Sequence, residues 1–198
     1  MPFFAMNKLK LAAIGDSITY GFPYSPASSW VRITAQHFGL EYFNKGISGD
    51  TTAGMVRRFT RDVCRYQPSY VIIMGGTNDI FEETEIKEIM SNITAMAALA
   101  LDNDIVPILG LPIPCNDLHI ESQLIEYRTE IREYAQARAI EIIDFHTALA
   151  GEDGLQIKAG LHCDGVHPNA EGYRLMAAAA INFIENRLMV HKRDGHLK

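Results

Sequence analysis

Ser17 lies in the segment Gly15-Asp16-Ser17-Ile18-Thr19-Tyr20-Gly21, directly after an apolar run, Leu9-Lys10-Leu11-Ala12-Ala13-Ile14. The run reads as a short buried strand. A serine just past a strand, between glycines, is where an α/β protein exposes a nucleophile or binds an anion. Far downstream, Asp164-Gly165-Val166-His167 sets a carboxylate and an imidazole three residues apart. A weak hydroxyl, a base to take its proton and an acid to orient the base are the components of nucleophilic acyl transfer.

Acyl transfer also needs donors for the oxyanion that develops on the substrate carbonyl, each contributing ~2.7–4 kcal/mol. Two further loops offer them: Gly46-Ile47-Ser48-Gly49-Asp50-Thr51-Thr52 and Gly75-Gly76-Thr77-Asn78-Asp79. The N–H groups of Ser17 and Gly49 and the side-chain amide of Asn78 are the candidate donors. Taken alone, Asn78 reads equally well as a turn residue, Asp164 as a turn residue and His167 as a capping or solvated side chain. Together with Ser17 and the two loops, the catalytic reading outweighs these.

The elements that must position these residues alternate along the chain. Strands are expected at 9–14, 41–46, 70–75, 105–110 and 140–145. Val71-Ile72-Ile73-Met74 and Ile105-Val106-Pro107-Ile108-Leu109 are continuous apolar runs, as expected where helices cover both sheet faces. Pro107 cannot donate to a ladder, which marks a strand start or an irregular position. Helices are expected near 28–38, with Gly39 as its stop, and near 51–64 and 120–139. Ile86, Ile89, Met90, Ile93, Ala97 and Leu101 form one helical stripe. Tyr173, Met176, Ala177, Ala180, Ile181, Ile184 and Leu188 form another, started by Pro168 or Asn169. The tail from His191 to Lys198 is polar and expected to fray. This β-α alternation predicts an α/β fold with a parallel sheet, and sites in such sheets form at the carboxyl ends of strands.

Other chemistries compete. His162, Cys163, Asp164 and His167 are all potential metal ligands, but there is no second ligand cluster at zinc spacing. Neither a metal nor a cofactor is expected. Cys163 is a weaker nucleophile candidate than Ser17, which accounts for the glycine-rich loops; a lone cysteine reads as a buried small hydrophobe. Ser48 to Thr52 at a helix start suits an anion. A non-catalytic, flavodoxin-like phosphate- or nucleotide-binding module is therefore the rival class, although it leaves Asp164 and His167 unused and has neither phosphate-loop motif.

The 198 residues suit one domain, 1–198, with its core at about 8–190. A net charge of −6 argues against a nucleic-acid partner. Arg57, Arg58 and Arg61 read as a solvated helix face. Three cysteines, Cys64, Cys115 and Cys163, make no disulfide framework. No secretory signal is visible and no run approaches the ~18 apolar residues of a membrane span, so a cytoplasmic protein without a stable membrane anchor is expected.

Four blocks in order, Gly15-Asp16-Ser17-Ile18, Ser48-Gly49-Asp50-Thr51, Gly76-Thr77-Asn78-Asp79 and Asp164-Gly165-Val166-His167-Pro168, resemble the GDSL/SGNH hydrolase superfamily. Ile18 stands where the family name has leucine. Thr19 breaks the G-x-S-x-G pattern, so the chain does not look like an α/β-hydrolase with a nucleophile elbow. The resemblance implies a flavodoxin-like three-layer α/β/α sandwich with five parallel strands in order 2-1-3-4-5. It implies Ser17 as nucleophile, Asp164 and His167 as its catalytic partners, and Gly49 and Asn78 as oxyanion donors beside Ser17. The expected substrate is a small-molecule ester or thioester. The Ser-Gly-Asp-Thr block looks like thioesterase and lysophospholipase members, and Gly-Thr-Asn-Asp as much like members acting on acetylated sugars or small acyl esters. Phe22, Tyr24, Phe81 and the segment Pro112 to His119 either line an acyl pocket or simply pack.

Overall fold

The structure, a computed structural model, describes residues 9–189; the tail from His191 lies outside them. The chain runs β1 (Lys10–Gly15), α1 (Ser17–Tyr20), α2 (Trp30–Phe38), β2 (Glu41–Gly46), α3 (Thr52–Asp62), β3 (Tyr70–Met74), α4 (Thr77–Phe81), α5 (Ile86–Leu101), β4 (Val106–Leu111), α6 (Leu118–Arg138), β5 (Glu141–Asp144), α7 (Phe145–Leu149) and α8 (Ala170–Phe183). A π-helical stretch, Ile184–Met189, continues α8.

The five strands are all parallel, in the order β2-β1-β3-β4-β5. Strand pleating sends alternate residues to opposite faces. Ala12, Ile14, Val71, Ile73 and Leu109 join a core with Met55, Phe59, Ile89, Ile93 and Tyr127 of α3, α5 and α6. Leu11, Ala13, Ile72, Met74 and Ile108 face Trp30, Phe145, Tyr173 and Met176 of α2, α7 and α8. The result is three layers with two apolar seams. Each fully buried aliphatic or Phe side chain in them contributes ~1.5–3 kcal/mol. β1 sits between β2 and β3, where the winding reverses, and this switch point is where such sheets open a crevice.

Local signals explain the helix limits. Gly39 closes α2 in the left-handed region, at φ 62°. Asn169 caps α8 by accepting from the Glu171 and Gly172 N–H groups at 3.0 Å. β5 pairs with β4 only from Ile108 onward, so Pro107 lies beyond the ladder on that side. The α5 stripe needs a correction. Leu101 is 58% exposed, and Met96 and Ala100 are buried instead, because at about 100° per residue Ile89, Ile93, Met96, Ala97 and Ala100 share the inner face and Leu101 falls beyond its edge. Among the described residues, no helix is long and apolar enough to cross a membrane.

Candidate active site

The carboxyl end of β1 delivers Ser17. Asp16 caps α1, its Oδ1 accepting from the Ile18 N–H at 2.9 Å, so Ser17 becomes the first residue of a helix rather than part of a floppy loop. Its Oγ lies 3.0 Å from His167 Nε2, across 150 residues of sequence. His167 Nδ1 lies 2.7 Å from Asp164 Oδ2. The other carboxylate oxygen accepts from the Val166 and His167 N–H groups at 2.9 and 2.7 Å. Three side chains from the two ends of the chain thus form one hydrogen-bonded line.

The turn carrying Asp164 and His167 is braced from several directions. The Cys163 N–H donates to His167 O at 2.9 Å, and the Asn116 N–H donates to Gly165 O at 2.8 Å. His162 Nδ1 accepts from the Gly165 N–H at 2.9 Å. His162 and His167 therefore serve different partners. Burial opposes ionisation of Asp164, yet the N–H and imidazole of His167 and the N–H of Val166 outweigh it and hold the carboxyl at about 2. The group is an anion through the physiological range, which suits it to hold an Nδ1–H and leave the Nε2 lone pair toward the serine hydroxyl.

The second and third loops meet beside Ser17. Gly49 adopts φ +77°, a conformation that glycine takes without strain. Asn78 follows the buried β3, and its Nδ2 donates to Asp50 O at 2.9 Å. An amide nitrogen carries two protons, and this bond uses one. Asp79, 1% exposed, fixes the two loops to each other. Its carboxylate accepts from the Thr52 N–H at 3.0 and 2.9 Å and from the Thr52 hydroxyl. The α3 N-terminus, which suggested an anion site from sequence, is thus occupied by the protein's own carboxylate.

Three sequence readings change. Arg58 does not lie on a solvated face: it is 7% exposed and bonded to Asp50, Asp62 and Gly15 O. Its burial follows from the α3 register, in which Met55, Arg58 and Phe59 share the inner face. Cys163 is exposed rather than a buried hydrophobe, while Cys64 and Cys115 are buried. Phe22, Tyr24 and Phe81 are all exposed, and the Phe22 ring lies 4.6 Å from that of His167. The segment from Pro112 is held from beneath by a buried pair that the sequence reading did not single out. Glu121 accepts from the Cys115 N–H at 2.8 Å and pairs with Arg128, which reaches Pro112 O and Ile113 O. Their spacing of seven on one helix was the available signal.

Asp16 gives a testable pH dependence. Burial pushes its carboxyl up to about 6, the Ile18 N–H and His167 pull the other way, and Asp79 adds to the rise. A carboxyl with a raised folded-state pKa contributes stability below its unfolded value, near 4, and loses it as pH climbs through 6. D16N keeps an acceptor for the Ile18 N–H and does not titrate. Between pH 4 and pH 8, wild-type stability should therefore fall relative to D16N by about 2 kcal/mol. Denaturant melts of both proteins at the two pH values measure this, and a constant difference would contradict the assignment.

The chain is similar to several known proteins. The lipoprotein YqeF of Bacillus subtilis is 37% identical over 117 residues, 52% of this chain and 48% of that protein; the match spans about half of that relative's length. The esterase TesA of Pseudomonas aeruginosa is 26% identical over 166 residues, covering 80% of this chain and 79% of that one. A solved G-D-S-L family structure from Desulfitobacterium hafniense superposes with a TM-score of 0.83 at 34% identity, covering 88% of this chain and 99% of that one. The profile of the GDSL-like Lipase/Acylhydrolase family matches residues 13–175, a span that contains all four loops just described, and the chain belongs to that family.

Proposed function

We propose that the protein is a serine hydrolase that cleaves carboxylic esters or thioesters of small or lipid acyl groups through a covalent acyl-enzyme. The observation that carries this is the continuous line from Ser17 Oγ to His167 Nε2 at 3.0 Å and from His167 Nδ1 to Asp164 Oδ2 at 2.7 Å. Ser17 Oγ attacks the substrate carbonyl carbon while its proton passes to His167 Nε2. Asp164 keeps the Nδ1–H in place and stabilises the imidazolium. The carbonyl oxygen takes the negative charge and is held by the N–H groups of Ser17 and Gly49 and the second amide proton of Asn78. His167 then gives the proton to the leaving alkoxide or thiolate. Water, activated by the same imidazole, releases the acid and restores Ser17.

The exposed ring of Phe22, 4.6 Å from that of His167, gives the site an apolar edge suited to an acyl chain or an aryl leaving group. A carbohydrate O-acetylesterase is the alternative within the same chemistry. A panel of p-nitrophenyl esters from C2 to C16, acyl-CoA thioesters and acetylated sugars distinguishes these. Turnover of at least the short p-nitrophenyl esters, unchanged by EDTA, is the expected result. Activity lost in EDTA and restored by zinc would instead favour a metal hydrolase.

A further inference from the structure

Arg58 is buried on the inner face of α3, and no step of the proposed chemistry uses it. Its guanidinium reaches three places. Nε donates to Asp50 Oδ2 at 2.7 Å, Nη1 to Asp62 Oδ2 at 3.2 Å, and Nη2 to Gly15 O at 3.0 Å. Gly15 is the last residue of β1, two before Ser17, and its carbonyl also accepts from the Ile47 N–H at 3.1 Å. Asp50 follows Gly49, and its own backbone carbonyl holds the Asn78 amide. One side chain is thus bonded to the strand end that carries Ser17 and to the residue that links Gly49 to Asn78. The Asp50 carboxylate is itself wedged against α3, where a methyl group on Gly54 would collide with its Oδ1.

We propose that Arg58 is a positioning residue that sets the spacing of the three oxyanion donors. The inference rests on the oxyanion site proposed above. Arg58 touches no substrate; it acts through Gly15 and Asp50. A guanidinium is a rigid planar fork whose N–H directions are fixed relative to one another, whereas a lysine ammonium keeps the charge without that geometry. Because the donors must match the oxyanion and not the ground-state carbonyl, a small shift in their spacing weakens the transition state more than substrate binding.

The test is a double-mutant cycle between R58K and N78A, read as kcat and KM on a p-nitrophenyl ester, with D50N and D62N as a second pair. R58K should lower kcat by about 10- to 100-fold, within the loss expected of a displaced catalytic group, with KM within about threefold. Added to N78A, R58K should cost clearly less than it costs alone, because one of the three donors whose spacing it sets is already gone. D50N should lower kcat by about tenfold, whereas D62N, whose carboxylate pairs with Arg58 and Arg61 on its own helix, should stay within about twofold. If R58K does not fold, the D50N and D62N contrast decides. Losses that multiply in R58K/N78A, or equal losses in D50N and D62N, would overturn the positioning role and leave Arg58 as structural support. Normal kcat in R58K beside a crippled N78A would overturn the role of Arg58 alone. Normal kcat in N78A would overturn the oxyanion reading and this inference with it.

Discussion

H167A should lose ~10⁴–10⁶ of kcat, while H162A should stay within about tenfold of wild type. The two histidines stand five residues apart in one braced turn, so both variants disturb the same local structure. Only His167 faces Ser17 Oγ, at 3.0 Å, with a carboxylate behind it at 2.7 Å. His162 Nδ1 takes the Gly165 N–H, and losing that bond loosens the turn without removing the base. Steady-state kinetics on one activated ester measures both variants. Equal losses would mean that the turn matters only as structure, and the assignment of the base would fail.

N78A should lower kcat by ~10²–10³, the loss expected for one oxyanion donor, with KM nearly unchanged. The side chain also donates to Asp50 O, so the variant gives up a partly buried hydrogen bond worth about 1 kcal/mol of stability. That cost is too small to unfold a protein of ordinary stability. A turn-forming asparagine predicts the opposite pattern: a clear fall in melting temperature with near-normal kcat in the protein that stays folded. Measuring both quantities on the same preparation separates the two.

The central strands β3 and β4 were legible because strands covered on both faces are largely apolar, whereas the edge strands β2 and β5 are mixed. Val71 to Met74 and Ile105 to Leu109 are short, β-branched apolar runs, which favours buried strands over helices. The strand order was not visible in periodicity, which says nothing about which strands pair; it came from the resemblance of four short blocks to a known superfamily. Those blocks were readable because glycine, serine, asparagine and histidine at strand ends are dictated by backbone approach and chemistry more than by packing. What stayed hidden depends on long-range contact. Arg58 looks like its neighbours Arg57 and Arg61 until the α3 register turns it inward toward Asp50 and Gly15 O. The one-turn helices α1 and α7 are too short to show a period. They are stabilised by Asp16 and Asp144, which accept from the Ile18 and Thr147 N–H groups. Leu101 kept an i+4 spacing from Ala97 but sits past the edge of the face that Met96, Ala97 and Ala100 bury, and a chain of i+4 steps drifts around the helix away from the core.

The central claim is that Ser17 becomes covalently acylated, and trapping that residue tests it most directly. A fluorophosphonate probe mimics the tetrahedral intermediate and needs both an activated hydroxyl and an oxyanion site to react. Intact-mass and peptide-level spectrometry of the labelled protein should show one adduct per chain, on Ser17, and none in S17A. An adduct that persists in S17A, or one mapped to Cys163 in the wild type, would contradict the account.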